Sequence, residues 1–194
     1  WMVHSFPTRR SSDLAHFWLG EVLLASGDHA KALGHYEQVT QDADPVQPDL
    51  LMNARLRRGE CALAANDPTK ALESFDKVLI EGSDETARLV AARKMIEAAG
   101  KAGVLRDTLS RLRRIADEDP SEHVAGPCLL AIAEAELASQ QHDAAVATWN
   151  ATAKRFPKTS WAASALSRAG ETIASRGDPE RGLAVLRAAA EQST

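Results

Sequence analysis

The chain has 194 residues, 44% hydrophobic and 26% charged, which is the balance of a globular protein with enough apolar side chains for a continuous core and excludes a disordered tail. Lys plus Arg number 23 against 27 Asp plus Glu, a net charge of -4. The basic surplus that phosphate backbones or anionic membranes require is therefore missing, and no nucleic-acid partner is expected. The longest apolar stretches, such as Cys128 to Ala133, fall far short of the ~20 residues of a spanning helix, so no membrane insertion by this segment is expected.

In chain order, residues 1–12 have no repeat character and are set apart as a leader. Arg9-Arg10 superficially suggests a twin-arginine export signal, but the apolar core that should follow is absent. The stretch Ser5 to Leu14 resembles peptides produced when sequencing-adapter DNA is translated at the end of an assembled fragment, which implies an artefactual leader. From residue 13 the pattern becomes helical. Leu14, Phe17, Trp18, Leu24 and Ala25 recur at helical spacing, and the helix is expected to stop near Gly27, a residue suited to the left-handed position after a helix.

Asp28 then opens a second helix over about 29–42, which exits at Pro45. The same punctuation returns at Asn66-Asp67-Pro68 and Gly177-Asp178-Pro179. An aspartate that accepts orphan amide hydrogens, followed by a proline that has none, is a start signal with a physical basis. Second helices are expected over about 68–81, 104–117, 142–155 and 178–192, with exits at Ser83, Pro120 and Pro157. No segment alternates with period two, so no sheet is expected.

Self-similarity at a fixed period sets the architecture. Glutamates stand at 21, 60, 97, 134 and 171, separated by 39, 37, 37 and 37 residues. A large apolar column runs in the same register through Tyr36, Phe75, Leu112, Trp149 and Leu186, and a mostly small one through Ala32, Ala71, Thr108, Ala145 and Gly182. The small residue lets two helices approach, and the large one fills the space between neighbouring units.

Leu19-Gly20, Ala32, Tyr36 and Pro45, and again Gly59, Ala71 and Phe75, resemble the signature of the tetratricopeptide repeat. The resemblance implies an all-α fold, a right-handed superhelical solenoid of about five helix pairs, over residues 13–194. Its units are about 13–48, 49–83, 84–120, 121–158 and 159–194. The period exceeds the family's usual ~34 residues, and the third copy departs most from the pattern. The final helix, Leu183 to Ala190, is followed by no polar capping helix, so the chain reads as a piece of a longer array. The phrases Phe17 to Glu21 and Phe156 to Ala162 resemble those of bacterial envelope members of the family, which tilts the expected location towards the bacterial periplasm or envelope over the cytoplasm.

No catalytic chemistry is legible, and an enzyme is not expected. Histidines at 4, 16, 29, 35, 123 and 142 form no metal-binding pair at helical spacing, and Gly100 to Gly103 lacks the preceding strand of a phosphate loop. No metal or other cofactor is expected. Cys61 and Cys128 lie two repeats apart and read as packing residues.

The resemblance implies that the first helices of the units line a groove. Spacings of three and four residues place on those faces Phe17, Glu21 and Leu24; Leu56, Glu60 and Leu63; Arg93 and Glu97; Leu130 and Glu134; and Glu171. The expected function is a protein-interaction scaffold holding a peptide or helix that is apolar with basic residues. The competing reading pairs each glutamate with a lysine or arginine of an adjacent helix. A second functional reading is a structural or regulatory arm of a larger multidomain protein. Chaperone-binding members of the family grip a terminal carboxylate with an asparagine where this chain has glutamate, so an acidic-tail ligand is not expected.

Overall fold

The computed structural model describes residues 9–41 and 47–192. Ten helices follow one another, with no strand among the described residues. They are α1 (Arg9–Ala25), α2 (His29–Gln41), α3 (Pro48–Ala64), α4 (Pro68–Glu81), α5 (Glu85–Ala102), α6 (Leu105–Glu118), α7 (Glu122–Ala138), α8 (His142–Arg155), α9 (Ser160–Ser175) and α10 (Pro179–Glu191). The repeat period thus yields five helix pairs. Residues 9–12, read from sequence as part of the leader, extend α1 by a turn. Pro45, the expected exit of the first pair, lies outside the described residues.

The turn within each pair is built the same way five times. Gly27, Asn66, Gly103, Gln140 and Gly177 all have positive φ, between 59° and 96°. The next amide reaches back to the carbonyl five residues earlier: Asp28 to Leu23, Asp67 to Ala62, Val104 to Ala99, Gln141 to Glu136 and Asp178 to Ile173. This is the hydrogen-bond closure that a left-handed residue after a helix makes possible. Where aspartate follows, it caps the next helix, accepting from the amides of Lys31 (3.2 Å), Lys70 (3.0 Å) and Arg181 (3.1 Å). Gln140 occupies the left-handed position without glycine's freedom, a strain of about 1 kcal/mol.

Two compact units result, one ending at Val104 and the other beginning at Leu105. The division falls inside the third helix pair, the copy that departs most from the repeat pattern. In the first unit α1, α2, α3 and α4 each pack on the next helix; in the second, α6, α7, α8 and α9 each do. Odd-numbered helices also touch across the helix between them, α1 with α3, α3 with α5 and α7 with α9. They therefore line one side of each unit.

The large apolar column sits in the core, with Tyr36, Phe75, Leu112 and Trp149 sealed from solvent and Leu186 half-buried. Three of these side chains press on a glycine of the partner helix. A Cβ on Gly20 would come within 2.7 Å of the Tyr36 ring, on Gly59 within 2.5 Å of the Phe75 ring, and on Gly170 within 2.8 Å of Leu186. Gly100, exposed on α5, would meet nothing within 4 Å. Gly59→Ala is therefore expected to destabilise the first unit by about 1–3 kcal/mol through overpacking. Gly100→Ala should stabilise it by up to about 1 kcal/mol through helix propensity alone. Urea unfolding of the two variants checks the opposite signs.

Candidate protein-binding face

The column glutamates of the first unit lie on the side lined by α1, α3 and α5. Glu21 is half-buried and accepts a hydrogen bond from the Tyr36 hydroxyl at 2.6 Å and another from Arg57 Nε at 2.9 Å. Arg57 also donates through Nη1 to Glu60 at 2.9 Å. One guanidinium thus holds two successive column glutamates. Burial opposes the charge of Arg57, but the bonds to Glu60 and Glu21 outweigh it and raise its pKa. Burial, with the hydrogen bond to Glu21, raises that of the Tyr36 hydroxyl, which stays protonated as a donor.

Lys94 stands one repeat on from Arg57 and meets Glu97 at 3.0 Å, with Lys101 at 3.6 Å on its other side. The bond from Lys94 comes first among the influences that hold the Glu97 carboxyl below its usual range. The pattern is a cation three residues before the glutamate. In the second unit, Glu134 is half-buried and engaged, whereas Glu171 is exposed with no partner among the described residues.

The apolar residues expected beside the glutamates divide. Phe17 is half-buried and edge-on to Tyr36, ring centroids 5.9 Å apart; Leu24 and Leu56 are half-buried, Leu24 against the core. Leu63 and Leu130 are 6% and 4% exposed. They belong to the core, because positions three or four residues from a groove residue also rotate towards the neighbouring helix. Arg93 is exposed. The accessible part of the expected groove thus reduces to the glutamates, Arg93 and the edges of Phe17, Leu24 and Leu56.

Sequence reasoning missed the most buried acid. Glu136, 7% exposed, accepts from Arg113 Nη2 at 2.6 Å and from Thr148 Oγ1 at 2.8 Å, tying α7 to α6 and α8. The signal was present: in repeat register, Glu136 falls in a column otherwise filled by Leu23, Ala62, Ala99 and Ile173. Histidine pairing was also missed, because α1 and α2 bring together residues 19 apart in sequence. The Nδ1 atoms of His16 and His35 lie 3.0 Å apart, so one ring donates and the other accepts. No group of three or more His, Cys, Asp or Glu able to hold a metal ion occurs among the described residues. None of the described helices is long and apolar enough to cross a membrane.

A cleft of about 430 Å³ opens among α8, α9 and α10, with Val146 and Ile173 in its lining and Asp143 paired to Arg176 at 2.6 Å. Both cysteines are buried thiols outside any disulfide, and burial, followed by the charge of Glu60, pushes the Cys61 thiol up to about 11.

A family model for the tetratricopeptide repeat matches residues 8–48 and 130–194, more than half of the chain. Among solved structures, the crystal structure of MamA is similar at 19% identity and a TM-score of 0.50, covering 90% of this chain and 94% of that one. TTC0263, a thermophilic protein of the same repeat class from Thermus thermophilus, is similar at 20% identity and a TM-score of 0.51, covering 93% and 91%. At these identities the likeness speaks for the fold alone. No curated protein matches the chain.

Two expectations follow from this geometry. Arg113→Ala leaves the buried Glu136 carboxylate with one hydroxyl partner and is expected to cost about 1–3 kcal/mol in urea unfolding, while exposed Arg106→Ala on the same helix should cost under about 0.5 kcal/mol. With its thiolate suppressed, Cys61 should not react with a thiol reagent at pH 8 in the folded chain, nor should buried Cys128; both should react in denaturant.

Proposed function

Because the chain belongs to the tetratricopeptide-repeat family, a family of protein-interaction scaffolds, we propose that it holds a peptide or helix of a partner protein along the side of its odd-numbered helices. The partner segment is apolar with basic residues. The observation that carries this reading is the glutamate column, with Glu21, Glu60 and Glu97 on α1, α3 and α5 beside the half-buried edges of Phe17, Leu24 and Leu56.

The charges are not equal in what they offer. Arg57 already occupies Glu21 and Glu60, so a basic ligand must compete with a guanidinium held on both sides. The lysines on Glu97 come from its own helix at a half-exposed site, and exposed pairs of this kind are worth about 0–1 kcal/mol. Glu97 in the first unit and Glu171 in the second therefore have most to gain from an incoming cation. Nothing in the sequence or the described residues assembles a catalytic constellation of nucleophile, base and orienting group, which favours a scaffold over an enzyme.

The test is capture from a bacterial lysate by the parent chain and by a variant carrying Glu60→Gln, Glu97→Gln, Glu134→Gln and Glu171→Gln. A partner retained about tenfold less by the variant, or about 1.4 kcal/mol, and released by moderate salt supports a charge-dependent face. Equal retention by both chains sinks the role of the glutamates.

A further inference from the structure

The cleft in the second unit is bounded by α8, the last turn of α9 and the first turn of α10. Its volume of about 430 Å³ lies within the ~300–1,000 Å³ of pockets that take a ligand. Ile173, 8% exposed, and the half-buried Val146 make part of the lining apolar, and Arg176 and Arg181 make part of it cationic.

The first unit closes the equivalent place with an ion pair. There Glu37 of α2 meets Lys70 of α4 at 3.0 Å. In repeat register Asn150 stands where Glu37 does, and Arg181 where Lys70 does. The cation is kept and its acid is lost. Arg181 is exposed, and its side chain has no partner among the described residues. The two aspartates of the lining are engaged elsewhere: Asp178 caps α10 through the Arg181 amide at 3.1 Å, and Asp143 holds Arg176 at 2.6 Å. The Asp143 side chain is 94% exposed, so that pair is weak, and the guanidinium fork of Arg176 keeps donors for a second carboxylate.

The opening does not depend on where the chain ends, since described helices stand on both sides of it. In the first unit α5 follows α4 and packs on it, yet the side chains of Lys70 and Glu37 remain 35% and 29% exposed. A helix packed on α10 in the same manner leaves Arg181 and Asn150 within reach of solvent.

We propose that this cleft is a second interaction site, which receives an acidic side chain of a partner protein's peptide segment together with the apolar side chain next to it. The incoming carboxylate supplies the acid that Glu37 provides in the first unit, set against Arg181 with Arg176 as a further donor. The apolar neighbour rests on Val146 and Ile173. This charge preference is the reverse of that proposed for the odd-numbered side, so the two sites take different segments.

The test is a titration of backbone amide chemical shifts in the isotope-labelled chain, with an N-acetylated, C-amidated hexapeptide of alternating leucine and glutamate as the probe. Shifts are expected at Ala147, Asn150, Ile173 and Arg181, and the affinity should fall with added salt. The same hexapeptide with glutamine for glutamate is expected to bind about tenfold more weakly, the loss that follows from removing a charged hydrogen-bond partner. Arg181→Gln alters an exposed side chain and leaves the capped amide in place, so circular dichroism should be unchanged while affinity for the glutamate peptide falls by about tenfold. Asn150→Glu restores the missing acid, which should pair with Arg181, close the cleft and weaken the glutamate peptide to a similar degree. The proposal falls if the peptide shifts no amide of the cleft, if the glutamine peptide binds as well, or if either variant binds as the parent does. It falls too if sodium hexanoate shifts the same amides with equal affinity, because the cleft is then a site for a small organic acid.

Discussion

The close approach of the two helices of a pair, within each compact unit, is the constraint on which the rest of the structure depends. It is set by one small position facing one large one, seen where the Tyr36 ring lies on Gly20 and the Phe75 ring on Gly59. A methyl group added at either glycine would collide with a sealed ring. The pair closes at that distance only because the turn between the helices folds back within three residues, which the left-handed position at Gly27, Asn66, Gly103, Gln140 and Gly177 permits. The third pair has Ile96 where the others have glycine or alanine, and there the two compact units divide.

The same interlock decides which side chains remain available to a partner. Glycine, alanine and the large column are consumed by packing, and so are Leu63 and Leu130. What remains on the odd-numbered side of the first unit is the half-buried edges of Phe17, Leu24 and Leu56 beside charges that already interact, with Arg57 bridging Glu21 and Glu60 and Lys94 leaning on Glu97. A charged face arranged in this way is partly neutralised before any ligand arrives. It favours partners that supply apolar contact together with charge, because exchanging one exposed ion pair for another yields little.

Helix boundaries were legible because they rest on local chemistry. Asp28, Asp67 and Asp178 announce helix starts through their own side chains, and the second helices begin and end within a residue or two of the positions expected from them. The left-handed residue at Gln140 was not legible, since nothing in a glutamine predicts positive φ; only its register with Gly103 and Gly177 does. The groove was legible in part. Spacing of three and four residues groups side chains on a helix face, but it does not say how far the neighbouring helix wraps that face, so Leu63 and Leu130 could not be told from Leu24 and Leu56. The Arg113–Glu136–Thr148 cluster joins three helices, and sequence spacing carries no information about such meetings.

The tryptophans divide between the two units in a way that matters for anyone following the chain by light. Among the described residues, the first unit carries only Trp18, which already faces solvent, whereas the second carries Trp149, fully enclosed with its indole N–H unpartnered, and Trp161, packed against Gly126. Loss of structure in the second unit moves two indoles from an apolar interior into water and shifts their emission. Loss of structure in the first unit moves Trp18 from one aqueous setting to another. Among the described tryptophans, a shift in emission wavelength therefore reports on residues beyond Leu105, while far-ultraviolet dichroism sums over all ten described helices.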